Sequence, residues 1–292
     1  MSGNLARNGI YGAAFRKASL SKKDSQLKTY YDEKYKIGWF LMKAAPRPCF
    51  TLQLLDEIGA YHQQIKSEMA ISQQKYDYLV VGSDVPGIFN LGGDLNLFRS
   101  LIKQKNRDIL LSYALQCVSI LYQNLVHFNL DLTTVSLIQG DALGGGLEAA
   151  LSSNLVIAER GTKLGLPEVL FNLFPGMGAY TLISRKAGAS VAERMILSGK
   201  LYDAEELYDL GIVDILAEKG EGELELYKYI KAVNRSPNTY KAMSKVKDLN
   251  NRVSYQELVD IANIWADAAL ELTARDLRMM ERLVHRQNIK TA

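Results

Sequence analysis

Apolar residues recur at Leu52, Leu55, Ile58, Tyr61, Ile65 and Met69, which predicts an amphipathic helix in "LQLLDEIGAYHQQIKSEMAIS". Ahead of it, "YKIGWFLMKAAPRPCFT" reads as a strand ended by prolines. After it, "YDYLVVGSDV" reads as a short buried strand with a Gly-Ser turn, and "GIFNLGGDLNLF" as a glycine loop entering a helix. A long apolar helix, "ILLSYALQCVSILYQNLVHF", precedes the strand "TVSLIQG". A further strand, "NLVIAE", leads through the turn "RGTKLGLPEV" to "LFNLFPGMGA", which is rich in loop signals. From Thr181 the pattern is mainly helical: "SGKLYDAEELYDLGIVDIL" reads as helix, turn and strand, and residues 255–287 as two or more helices. Strands alternate with helices first and helices dominate later, which predicts an α/β core with a helical C-terminal segment. Residues 1–30 have weak periodicity and read as an N-terminal extension, residues 31–215 as the core, and residues 216–292 as the helical region. No internal repeat of fixed period is present.

Composition narrows this picture slightly. The 292 residues are 48% hydrophobic and 23% charged, enough for a sizeable core. A net charge of +3 without a dense Lys/Arg block argues against a nucleic-acid partner. The weakly basic stretch Phe15 to Lys28 reads as a solvated arm. Cys49 and Cys117 lie in apolar surroundings and are expected as buried free thiols, which fits a cytoplasmic protein. His62, His127 and His285 are far apart with no H-x-x-x-H pair, so no metal site is expected. No signal-peptide pattern and no 18-residue uncharged apolar run are present, so neither secretion nor a membrane span is expected.

The chemistry concentrates in "SLIQGDALGGGLEAALSSNLVIA", where Gly144, Gly145 and Gly146 precede Glu148 at the head of an alanine-rich segment. Glycine lets another molecule approach the main chain, and a helix N-terminus presents unpaired N–H groups. For one glycine run alone, a tight turn with close strand–helix packing is sufficient explanation. The dinucleotide and P-loop patterns do not fit. A second loop, "FNLGGDL", also follows a strand and precedes a helix. Two such loops on neighbouring strands can each direct one N–H at one oxygen, as an oxyanion hole does. Glu168 sits after Pro167 among apolar residues, where burial raises a carboxyl pKa toward the range of a general acid or base. Either acid alone is more simply a capping or ion-paired residue. Together with both loops they form a catalytic constellation.

These residues resemble the crotonase (enoyl-CoA hydratase/isomerase) superfamily. The likeness rests on "RPCFTLQLLDEI", "FNLGGDL", "GDALGGGLEAALSSNLVIA" and "KLGLPEVLFNLFPGMGA", and runs from about Tyr35 to Gly211. It implies a ββα-superhelix core, no cofactor, and an oxyanion hole from the Leu91 and Gly145 N–H groups. The paired catalytic glutamates fall on Glu148 and Glu168. By resemblance Glu168 works at the α-carbon and Glu148 at the 3-hydroxyl, a split that the residues themselves leave open. Gly92, Gly144, Gly146, Leu147, Met177, Trp265 and Leu283 are the expected substrate-binding residues, Trp265 and Leu283 closing an acyl pocket from the C-terminal helices. The departures are Asn154 for the usual aspartate, Asn172 for the usual glycine, an apolar "FNLFPGMG" and the N-terminal extension.

Those details look most like one branch, the diffusible signal factor synthases. That branch implies dehydration of a 3-hydroxyacyl thioester, carried on acyl carrier protein or CoA, followed by thioester hydrolysis to a cis-2-unsaturated fatty acid used in quorum sensing. It also implies a homo-oligomer, trimer or hexamer, with contacts through the C-terminal region, and the receiver domain of a sensor kinase as a partner. Two alternatives stand beside it. An enoyl-CoA hydratase of fatty-acid oxidation uses the same residues and leaves the thioester intact. An acyl-thioester-binding regulatory protein does little chemistry, and has no need of two acids in an apolar pocket.

Overall fold

The computed structural model describes residues 25–72 and 75–289, with side chains to 284. Most of the basic stretch Phe15 to Lys28 and the side chain of His285 therefore lie outside the described residues. In chain order the elements are β1 (Leu27–Asp32), β2 (Ile37–Met42), α1 (Leu52–Ile71), β3 (Tyr78–Ser83), β4 (Ile88–Asn90), α2 (Leu95–Lys103), α3 (Arg107–Leu125), β5 (Thr133–Ile138), β6 (Asp141–Leu143), α4 (Gly145–Leu151), β7 (Leu155–Glu159) and β8 (Lys163–Gly165). A 3-10 turn, Pro167–Phe171, follows. Then come α5 (Ala179–Ala187), α6 (Ala189–Ser198), β9 (Leu201–Asp203), α7 (Ala204–Asp209), β10 (Ile215–Ala217), α8 (Gly222–Arg235), α9 (Pro237–Asn250), α10 (Tyr255–Leu270) and α11 (Ala274–Ile289).

The larger sheet has the order β1-β2-β3-β5-β7-β10. Only the β1–β2 pair is antiparallel. Its central strands are covered on both faces, so they read as continuous apolar runs rather than as alternation. Trp39, Val80, Val135, Leu137 and Ile157 face a core closed by Leu226 and Ile230 of α8. Phe40, Leu79, Val81 and Val156 face the main core under α1 and α3.

The smaller sheet, β4-β6-β8-β9, carries the site. Its strands have three residues each, too short for a periodicity signal, and β8 and β9 fall where the sequence predicts only turn and helix. Likewise β1 begins at Leu27, inside the stretch expected to be an arm. Its pairing with β2, from Leu27 opposite Met42 to Asp32 opposite Ile37, is a tertiary contact that local pattern does not report.

Helix starts follow the side chains available. Thr51 accepts from the Leu54 N–H, Asp94 from Asn96 and Leu97, and Asn106 from Ile109, capping α1, α2 and α3. The C-terminal helices close over the core: α10 packs along α3, and α11 on α2 and the 3-10 turn. Arg107 pairs with Asp267 at 2.6 Å across the first of these contacts.

The two sheets meet where β5 passes into β6. A Cβ on Gly140 would lie 2.2 Å from the carbonyl carbon of Gly87 and the nitrogen of Ile88. Backbone cannot yield as a side-chain tip can, so Gly140→Ala is expected to destabilise the protein by about 1–3 kcal/mol, as overpacking does. A urea denaturation midpoint unchanged by the substitution would contradict this contact.

Candidate active site

β4 and β6 pair in parallel, so the chain leaves both at the same end and the two glycine loops lie side by side. Each glycine of the run answers a different neighbour. Gly144 has φ +54°, a conformation costly for any residue with a Cβ, and a Cβ there would fall 2.3 Å from Glu168 Oε1. A Cβ on Gly145 would meet Met177 Cε at 2.8 Å, and one on Gly146 the Asn90 carbonyl oxygen at 2.1 Å. Gly92 completes the contact, a Cβ there lying 2.9 Å from the Gly145 nitrogen. The expected binding glycines 92, 144, 145 and 146 are therefore one packed junction.

The Gly145 N–H heads α4, outside the helix's own hydrogen-bond ladder. The Leu91 N–H, the other expected donor, donates instead to the Pro48 carbonyl at 2.8 Å. The first-loop residue that lines the cavity beside Gly145 is Gly93, its nitrogen 3.6 Å from the Cβ position of Gly145. Several bonds hold this loop. The Phe50 N–H donates to the Gly92 carbonyl at 2.8 Å. The Tyr113 hydroxyl donates to the Phe50 carbonyl at 2.6 Å and accepts from the Asp94 N–H at 3.3 Å. Arg47 grips both Asp94 oxygens at 3.0 and 3.2 Å.

Glu148, on α4, is 1% exposed. Its Oε1 accepts the Met177 and Ala179 N–H groups at 2.8 and 2.9 Å, which fixes the carboxyl to the start of α5. Burial pushes its pKa up to about 7, against the opposing pull of those two amides. Glu168 stands in the 3-10 turn with Oε2 buried and unpartnered among the described residues. Burial, and then the charge of Glu148, push it up to about 8. Both carboxyls line one cavity of about 410 Å³ with Gly93, Gly145, Met177 and Trp265. Of the expected acyl-wall residues, Met177 and Trp265 are there. Trp265 packs against Gly176, where a Cβ would lie 2.4 Å from the ring, and meets Phe98 edge-on at 5.1 Å.

The other two are elsewhere. Leu147 is fully buried in the core, because residues beside Glu148 on a helix point to a different face. Leu283 packs half-buried against the core and does not line the cavity. A second, apolar cavity of about 500 Å³ adjoins the first, sharing Phe50, Cys117 and Met177. Its walls, including Leu55, Ile58, His62, Phe89 and Leu121, come from α1, β4 and α3, together with β2, β3 and α4. The sequence shows these positions only as an apolar helix face, and a face that fills a core reads the same as one that lines a void.

Two of the departures from the family pattern, Asn172 and Asn154, have local reasons. Asn172 ends the 3-10 turn at φ +61°, ψ +34°, a left-handed position where asparagine can replace glycine. Its Nδ2 also donates to Asp276 of α11 at 3.4 Å. Asn154 Oδ1 accepts from the Thr134 N–H and hydroxyl, and its Nδ2 faces His127 Nε2, a donation that an ionised aspartate could not make. Cys49 and Cys117 are buried free thiols pushed up to about 12, mainly by burial. Among the described residues no group of three or more His, Cys, Asp or Glu could hold a metal ion, and no helix is long and apolar enough to cross a membrane.

The comparisons with known proteins agree with this geometry. The family model for enoyl-CoA hydratase/isomerase matches residues 46–277. A probable mitochondrial enoyl-CoA hydratase 2 of Arabidopsis thaliana is 31% identical over 173 residues, 58% of this chain and 54% of that protein. The human mitochondrial methylglutaconyl-CoA hydratase is 30% identical over 153 residues, 52% of this chain and 43% of that protein. The chain thus spans about half the length of these curated relatives. Two solved structures share the fold. The human mitochondrial delta3-delta2-enoyl-CoA isomerase has a TM-score of 0.75 at 18% identity, covering 91% of this chain and 100% of that one. Pseudomonas aeruginosa DspI has a TM-score of 0.65 at 23% identity, covering 82% and 93%. With the family match spanning most of its length, the two glycine loops packed together and both glutamates in one cavity, the chain belongs to the enoyl-CoA hydratase/isomerase family.

Proposed function

We propose that this protein dehydrates a 3-hydroxyacyl thioester, carried on acyl carrier protein or CoA, and then hydrolyses the thioester to release a 2-unsaturated fatty acid signal. The observation that carries the reading is the pair of raised-pKa carboxyls in one cavity with the Gly145 amide, opening onto a second, apolar cavity. The Gly145 N–H polarises the thioester carbonyl, joined by a first-loop amide, for which Gly93 is the residue facing the cavity. This acidifies the α-proton. Glu168 takes that proton, and Glu148 protonates the departing 3-hydroxyl, so the pair carries one proton in the active form. The Glu148 carboxylate so formed takes a proton from a water that attacks the carbonyl, and the same amides hold the tetrahedral oxyanion. Its collapse breaks the C–S bond, the leaving thiolate taking the proton held by Glu168. An ordinary hydratase would use the same groups without thioester cleavage; the second cavity favours a longer chain than such an enzyme needs.

Glu148→Ala and Glu168→Ala are each expected to lower turnover by roughly 10²–10⁴-fold, the usual loss for a proton-transfer group, with the fold retained. Exchange of the substrate α-proton into deuterated solvent separates the roles: Glu168→Gln should abolish it and Glu148→Gln should not. Near-normal turnover in either alanine variant would remove that residue from the mechanism.

The pH dependence has a definite sign. Turnover needs one proton on the pair, so kcat/KM is expected to be bell-shaped with limbs near pH 7 and 8. Stability follows as well. A carboxyl whose folded pKa is raised binds more protons folded than unfolded, so its contribution is full below about 4.5 and is lost as pH rises through about 7 to 8. Glu148→Gln should therefore flatten this decline and stabilise the protein at pH 8 by roughly 1–3 kcal/mol. Urea midpoints measured across that range give the test, and a wild-type midpoint that rises with pH would be the wrong sign.

A ladder of 3-hydroxyacyl thioesters from butanoyl to tetradecanoyl tests chain length and product together. The optimum is expected at medium to long chains, since each buried methylene contributes about 0.8 kcal/mol. Trp265→Ala should weaken that preference, and mass spectrometry should find free unsaturated acid. An optimum at butanoyl with the thioester intact would restore the ordinary hydratase.

A further inference from the structure

The second cavity has a direction. Cys117 on α3 is shared with the catalytic cavity, while Asn124 of the same helix lies seven residues further along, about 10 Å by helical rise. Phe50, also shared, stands just before α1, and His62 lies well inside that helix. His62 touches Phe128, which follows the end of α3. His62, ten residues into α1 from Leu52, thus lies at the end of this cavity away from the shared Phe50, with Leu55 and Ile58 on the same helix between them.

Asn124 and Ser152 are occupied with their neighbours. Asn124 Nδ2 donates to the Ser152 and Ser153 hydroxyls at 2.9 and 3.0 Å, and the Ser152 hydroxyl donates to the Ala149 carbonyl at 2.6 Å. His62 differs: it is 3% exposed, and its Nε2 is buried without a partner among the described residues. The ring is held edge-on between Phe128, at 4.7 Å and 90°, and Phe40, at 5.9 Å and 83°. Leaving a polar atom buried and unpaired is unfavourable, a cost that a leucine here would not carry. Burial, with a smaller push from Lys66, holds the pKa down to about 3, so the imidazole is neutral. A neutral Nε2 donates or accepts according to its tautomer, and a hydroxyl satisfies either.

Resting on the acyl-thioester reading of the site, we propose that His62 is a specificity-determining residue. It hydrogen-bonds an oxygen carried near the far end of the acyl chain, so the preferred substrate is an acyl thioester bearing a distal hydroxyl. A plain alkyl chain would leave His62 unpaired. Calorimetric titration of saturated fatty acids and their ω-hydroxy counterparts, from butanoic to tetradecanoic, tests this without requiring turnover. At the length that reaches His62, wild type should bind the hydroxy acid at least as tightly as the plain acid. In His62→Leu the ratio of hydroxy-acid to plain-acid affinity should fall about tenfold, the equivalent of one buried hydroxyl left unpaired. His62→Gln, which keeps a donor and an acceptor, should retain the wild-type ratio, and plain-acid binding by the variants reports that the cavity is intact. A ratio unchanged in His62→Leu, or a wild-type preference for the plain acid at every length, would overturn the proposal. Failure of the thioester ladder to turn over would sink the proposed reaction, while the binding ratio would still decide the role of His62.

Discussion

The Asn90 carbonyl lies so close to Gly146 that a Cβ there would come within 2.1 Å of it, and the site depends on this approach. Once β4 and β6 pair in parallel, their loops must share the space at one end of a small sheet. Side chains would hold them apart. Bare backbone lets α4 start against the first loop, which brings the Gly145 amide beside Gly93 and leaves Gly144 open for the Glu168 carboxyl. The same junction makes a donor pair available and decides where the second acid can stand.

Burying two carboxyls together is unfavourable, and the surrounding structure handles each one differently. Glu148 is anchored by two amides at the start of α5, which offset part of its desolvation. Glu168 has an unpartnered oxygen and bears the charge of its neighbour in addition. Different surroundings thus raise the pKa of two chemically identical groups by different routes. The lattice of Arg47, Asp94 and Tyr113 around the first loop serves geometry rather than proton transfer, holding the loop where substrate binding would otherwise have to order it.

Helix α1, the strands β2, β3, β5 and β7, and the helical C-terminal segment are legible in the chain because each is long enough to show a helical period or a continuous apolar run. Strands β4, β6, β8 and β9 are not, at three residues each. β1 was hidden for another reason, since its only partner among the described residues is β2 and its sequence is ordinary. The cluster of glycines and glutamates was nonetheless recognisable, because two glycine loops and two acids together call for a reason in chemistry or packing. Here the reason is both. Asn172 shows the same rule in miniature, since a left-handed position accepts few residues.

By itself the sequence determined which residues could do chemistry here: Glu148, Glu168 and the glycines, types that covalent structure alone makes acidic or bare. The tertiary structure decided what those residues face. It committed the Leu91 N–H to Pro48, turned Leu147 into the core, kept Leu283 off the cavity and set Trp265 against Gly176. It also left an apolar cavity among α1, α3 and the strands beside them, with His62 in its wall. Orientation and emptiness are properties of several elements together: a hydrogen bond is claimed by the nearest acceptor, and a void exists only where packed neighbours fail to meet.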